Sequence, residues 1–133
     1  MADLFIETRH EGDVAFMTLG GEARLELCET LRNKAGALLD AGAKHLVVDV
    51  EALGFVDSAS TGVLVEMRRK AVAKGGDLTF VRSTARFRRR LADMGLGDQF
   101  AFAASEADAL AALGRGRKGP TPPAPGSRPS SRG

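Results

Sequence analysis

The run HLVVDV (His45–Val50) is apolar at almost every position. A strand of that kind has no face to offer to water. It belongs inside a sheet covered on both sides, the usual setting of parallel strands. Just before it, CETLRNKAGALLDAG places Cys28, Leu31, Ala35, Leu38 and Leu39 on one face of a helix. Gly42 is the expected C-cap of that helix. Earlier still, LFIETR (Leu4–Arg9) and DVAFMTLGG (Asp13–Gly21) read as two strands joined by a tight turn at Glu11-Gly12. A strand, a helix and a buried strand in succession imply a crossover and a parallel pairing.

The patterning changes at FVDSASTGVLVEM (Phe55–Met67). An apolar strand-like run ends in an acid and small residues, and helical spacing begins at once. Ser60, Leu64, Met67 and Ala71 line the inner face of a helix expected from about Ser58 to Lys74, stopped by Gly75-Gly76. DLTFVR is a further strand. TARFRRRLADMG is a helix with Phe87, Leu91 and Met94 on its stripe. QFAFA is a short edge strand. SEADALAALG is a helix capped by Ser105, with Ala107, Leu110 and Ala111 as its buried stripe. The order β-β-α-β-α-β-α-(β)-α predicts an α/β fold: one domain, a mixed, mostly parallel sheet, and helices chiefly on one side.

The pI near 9.0 misrepresents that domain. All five prolines lie between Pro120 and Pro129, in a stretch of Pro, Gly, Ser and Arg with little to bury. Residues 115–133 are therefore expected to be a disordered basic tail. Five of the 19 Lys and Arg residues lie there with no acid, which leaves 14 against 17 acids in residues 1–114. The expected domain, 1–114, is mildly acidic, so direct DNA binding is not expected. No apolar run approaches the roughly 20 residues that span a membrane. MADLFIETRH lacks the layout of a signal peptide, which points to the cytoplasm. Cys28 is alone and the two histidines are far apart, so neither a disulfide nor a metal site is expected. No cofactor is implied.

Two readings compete at the corner. Asp57 and Ser58 are both good helix N-caps. Alternatively, a hydroxyl stands where it can be modified. Other clusters read more simply. RFRRR (Arg86–Arg90) and the charges of MRRK (Met67–Lys70) are mostly solvated helix faces. GRGRKG (Gly114–Gly119) lacks the phosphate-loop pattern. Asp49 and Glu51 are read as solvating a strand exit. No catalytic constellation stands out, and no enzyme is expected.

The segments LGGEARLELCETL (Leu19–Leu31), HLVVDVEALGFVDSASTGVLVEM (His45–Met67) and GGDLTFVRSTARFRRRLADMGLGDQF (Gly75–Phe100) together resemble the STAS domain family, whose bacterial members include anti-sigma factor antagonists. The family shows a G-E-L-D segment and then F-[MV]-D-S-[ST]-G-L-G; the likeness covers about residues 4–113. It implies a protein-interaction switch. The serine after the aspartate, here Ser58, would be phosphorylated by an anti-sigma factor that is also a serine kinase. The unphosphorylated form would bind that partner, and a phosphatase would reset it. Partner binding would involve Arg24, Asp57, Ser58, Ala59, Ser60, Thr61 and Gly62. Three features depart from the pattern. The segment after Ser58 reads Ala59-Ser60-Thr61-Gly62. Ser60 and Thr61 are alternative acceptors, of which Ser60 is expected to face inward and Thr61 outward. Arg24 replaces the acid of G-E-L-D and would attract a phosphate. The alternative within the family is a constitutive scaffold or transporter-associated subunit, of a stress-sensing complex or lipid transporter, without phosphoregulation.

Overall fold

The computed structural model describes residues 4–117. β1 (Phe5–Glu11) and β2 (Val14–Ala23) form the expected antiparallel hairpin. Gly12 makes its turn with φ of +62°, a conformation that suits glycine. A short 3-10 turn (Leu25–Leu27) leads into α1 (Cys28–Asp40), and β3 (His45–Val56), α2 (Ser58–Ala73), β4 (Leu78–Val81), α3 (Ala85–Asp93), β5 (Ala101–Ala103) and α4 (Glu106–Arg117) follow. The sheet order is β1-β2-β3-β4-β5. All pairings after the hairpin are parallel. The mixed, mostly parallel α/β architecture is thus the one the periodicities predicted.

Both faces of the sheet are covered, and unequally. Ala15, Met17 and Leu19 of β2 and Leu46, Val48 and Val50 of β3 join a large core with residues from α1, α2 and α3. On the opposite face Val14, Phe16, Val47 and Val81 form a smaller cluster with Ala109 and Leu113 of α4 and Ala103 of β5. This double cover is why HLVVDV carries no polar alternation. Where β4 approaches, a Cβ on Gly76 would lie 1.8 Å from the Lys44 carbonyl oxygen. The second glycine of the pair thus serves a close backbone approach as well as the helix stop.

Several expectations need correction. The α4 stripe is out of phase: Ala107, Leu110 and Ala111 are exposed, while Ala109 is buried. Alanine and leucine alternate so densely in this segment that two helical phases fit equally, and the sheet selects one. The α1 C-cap is Ala41, with Gly42 one residue beyond it at φ of +115°. Asp49 does not solvate a strand exit. It is 3% exposed, gripped by the Arg82 guanidinium, and accepts the Glu51 amide at 3.0 Å. Arg82 holds this position from a left-handed φ of +53°, which costs a non-glycine residue some strain. Helix α4 runs to Arg117, three residues past the expected domain end. The rest of the expected tail, 118–133, lies outside the described residues. Among those described, no helix is long and apolar enough to cross a membrane.

Candidate functional site: the strand-to-helix corner

β3 is longer than its apolar core required. Two register shifts against β2, between Thr18 and Gly20 and between Gly21 and Glu22, insert extra residues into β3. Its end is thereby brought beside the end of β2, with Phe55 opposite Glu22 and Val56 opposite Ala23. The Asp57 amide continues the ladder by donating to the Ala23 carbonyl at 3.0 Å.

Asp57 then caps α2 from an extended conformation. One carboxylate oxygen accepts the Ser60 amide at 2.8 Å, and the other accepts the Leu25 amide at 2.8 Å. A single side chain thus ties the turn after β2 to the start of the helix. Partial burial pushes the Asp57 pKa up. The amide and hydroxyl of Ser60, the Leu25 amide and the charge of Arg24 outweigh it and hold the carboxyl below its ordinary value. Asp57→Ala should therefore cost about 1–2 kcal/mol through loss of the cap. With the folded pKa below the unfolded one, the carboxylate's contribution is complete above about pH 4 and is lost as pH falls through the folded value. Urea titrations of wild type and Asp57→Ala should accordingly converge on acidification. A constant difference down to about pH 2 would show that the charge is not what the cap uses.

The three hydroxyls of the corner differ sharply. Ser58 is exposed. Ser60 is 1% exposed, its oxygen 3.6 Å from the Cys28 sulfur on α1. Ser60 faces inward as expected, but Thr61 does not face outward: it is 2% exposed. Its hydroxyl donates to the Ser58 carbonyl at 2.7 Å and lies 3.3 Å from Met94 Sδ. The first turn of α2 packs against Cys28 of α1 on one side and Met94, at the end of α3, on the other, so two adjacent positions are buried at once. Ala59 is half-buried and Gly62 is exposed.

Arg24 is exposed and extended, immediately before the 3-10 turn. Its Nε donates to Glu22 Oε1 at 2.9 Å, and its guanidinium sits 4.4 Å from the centre of the Phe55 ring. Arg90 of α3 approaches the same ring at 5.1 Å, and its Nε donates to the Val56 carbonyl at 2.9 Å. Each contact has the geometry of a cation–π interaction. Arg86, Phe87 and Leu53 complete a cleft beside Phe55. Leu25, next to Arg24, is 67% exposed.

The fold thus gathers Arg24, Asp57, Ser58 and Gly62 at one corner and withdraws Ser60 and Thr61 from the surface. Glu22, Leu25, Phe55 and Arg90 belong to the same corner, although the sequence reading passed over them as site residues. Glu22 was within reach of pattern reasoning, since residues two apart in extended chain share a side. Arg90 was not, because its partner Val56 lies 34 positions away. Among the described residues no cluster of metal-ligating side chains occurs.

Comparison with known proteins agrees with this architecture. The chain superimposes on an anti-sigma factor antagonist from Mycobacterium paratuberculosis with a TM-score of 0.72, at 22% identity, over 84% of this chain and 94% of that one. For the Bacillus cell fate determinant SpoIIAA in its phosphorylated form the TM-score is 0.63, at 21% identity, over 84% and 99%. For Moorella thermoacetica RsbS it is 0.69, at 23% identity, over 83% and 95%. At these identities the likeness is one of fold. A family model described as "Mlab, STAS domain" matches residues 6–113. With that match across nearly the whole described fold, the chain belongs to the STAS domain family.

Proposed function

We propose that this protein is an interaction switch of the anti-sigma factor antagonist type, controlled by phosphorylation of Ser58. Its partner is an anti-sigma factor with serine kinase activity, which docks on the corner around Arg24, Asp57, Ser58, Ala59 and Gly62. The observation that carries the reading is selective exposure: of the corner's three hydroxyls, only Ser58 reaches solvent. Ser60 and Thr61 are removed as alternative acceptors by burial. In the phosphoryl transfer the Ser58 oxygen forms a bond to the γ-phosphorus of ATP, ADP leaves, and the hydroxyl proton passes to a base of the kinase. ATP and catalytic groups belong to the partner, and a phosphatase restores the hydroxyl. The setting is the cytoplasm.

The fold tolerates such a group. Amides in the first turn of a helix have no carbonyl within the helix to bond and favour negative charge. Burial of that phosphate under a partner without a matching cation is costly, so the modified form releases the partner. The test is phosphopeptide mapping after incubation of the full chain with its cognate kinase and ATP. Phosphate is expected on Ser58 alone. A chain that stays unmodified, or modification confined to other positions, overturns the acceptor assignment.

Arg24 favours a second reading. A cation already paired with Glu22 and stacked on Phe55 is also what a permanent docking surface would present. A constitutive scaffold or transporter-associated subunit would use this corner unmodified.

A further inference from the structure

A switch at Ser58 must turn a phosphate into a changed surface. The corner holds two arginines over one aromatic ring, and they are fastened differently. Arg90 is half-buried and bonded to the main chain at Val56. Arg24 has a side chain 49% exposed, and among the described residues its one ion pair is with Glu22. Such single surface pairs are weak. The Leu25 amide is bonded to the Asp57 carboxylate, so the backbone around Arg24 is pinned beside the residue that precedes Ser58. Phosphoserine carries about −1.5 to −2 charge and three strong acceptor oxygens, against the single charge of Glu22 and the Asp57 carboxylate, whose pKa the charge of Arg24 helps to lower. Guanidinium pairs especially well with phosphate because two of its N–H groups match two oxygens.

We propose that phosphate on Ser58 draws Arg24 away from Glu22 and off Phe55, and that this transfer is the structural event of the switch. The inference rests on the phosphorylation reading above. Arg90 stays, because the Val56 carbonyl holds it independently of any charge at Ser58. The transfer leaves the Glu22 carboxylate unpaired and uncovers the side of Phe55 that Arg24 had occupied. A partner fitted to the Arg24–Phe55 surface would then meet an unmatched acid and a displaced cation as well as the phosphate itself. On this mechanism the arginine at position 24, where the family pattern has an acid, is a working part of the switch.

The test uses the full-length chain with phosphoserine introduced at position 58 during synthesis, its phosphate titrated by phosphorus-31 NMR. A paired guanidinium favours the doubly charged phosphate and lowers its second pKa from the ordinary value near 6. Arg24→Ala is expected to raise that pKa by about one unit, a tenfold change in the ionisation equilibrium. Arg24→Lys should lie between, and Arg90→Ala should leave the titration nearly unchanged. Arg24→Gln, which keeps an aliphatic stem over Phe55, replaces alanine if the turn is disturbed. Identical titrations for wild type and both Arg24 variants overturn the proposal, as does a shift caused by Arg90→Ala but not by Arg24→Ala. Because no kinase is involved, a negative result here leaves the acceptor assignment standing. An unmodified Ser58 in the mapping experiment would remove that assignment whatever the titration shows.

Discussion

Phe80→Ala should destabilise the fold by about 3–5 kcal/mol, the usual cost of truncating a fully buried aromatic. Phe80 lies on β4 with no exposure. It meets Phe87 of α3 and Phe100 edge-on, with ring centres 5.0 and 4.9 Å away, and Phe102 of β5 at 5.7 Å. Such pairs add to the value of the buried area alone. Since domains are stable by only about 5–15 kcal/mol, a sizeable unfolded fraction is expected on mild heating. The effect should reach the corner. Helix α3 depends on this cluster through Phe87, and it carries Arg90, which binds Val56, and is followed by Met94, which touches Thr61. Amide spectra of the folded fraction should therefore shift near Val56 and Thr61. Denaturant unfolding supplies the main measurement. A loss below about 1 kcal/mol, with an undisturbed corner, would contradict the aromatic packing that positions α3.

Ser58→Asp should fold like wild type and bind the proposed kinase partner 10- to 100-fold more weakly, about 1.4–2.8 kcal/mol. Ser58 is exposed, so stability should change by only about 0.5 kcal/mol. Binding is different. A charge buried under a partner must be paired or desolvated at a loss. Ser58→Ala removes the acceptor without adding charge and should bind about as tightly as wild type. Isothermal titration of the three chains with the purified partner measures the differences directly. Aspartate is shorter than phosphoserine and carries less charge, so it should recruit Arg24 incompletely. The Ser58→Asp penalty should therefore change when Arg24→Ala is combined with it, since residues sharing one network are not additive. Equal affinities for Ser58→Asp and Ser58→Ala would sink the switch and favour the constitutive scaffold.

What the sequence determined by itself was whatever depends on neighbours along the chain. Periodicity identified the strands and helices, because burial of one face repeats every second residue in a strand and about every 3.6 in a helix. The continuous run His45–Val50 announced a strand covered on both faces. The stripe Ser60, Leu64, Met67 and Ala71 of α2 was legible, as was the corner at Asp57, since caps are local chemistry. Tertiary structure decided the rest. Helix α4 offered two equally apolar phases, and only the sheet beneath it chose Ala109. Thr61 sits one position from Ser60 and has an outward angle on an isolated helix; the end of α3 covers it. Asp49 looked like a solvated strand end until Arg82, 33 positions later, closed over it. Arg24 and Arg90 meet at Phe55 because two strand ends and a helix converge there. Such contacts join residues more than 30 positions apart, and no local pattern encodes them, because the energy that selects them comes from packing between elements.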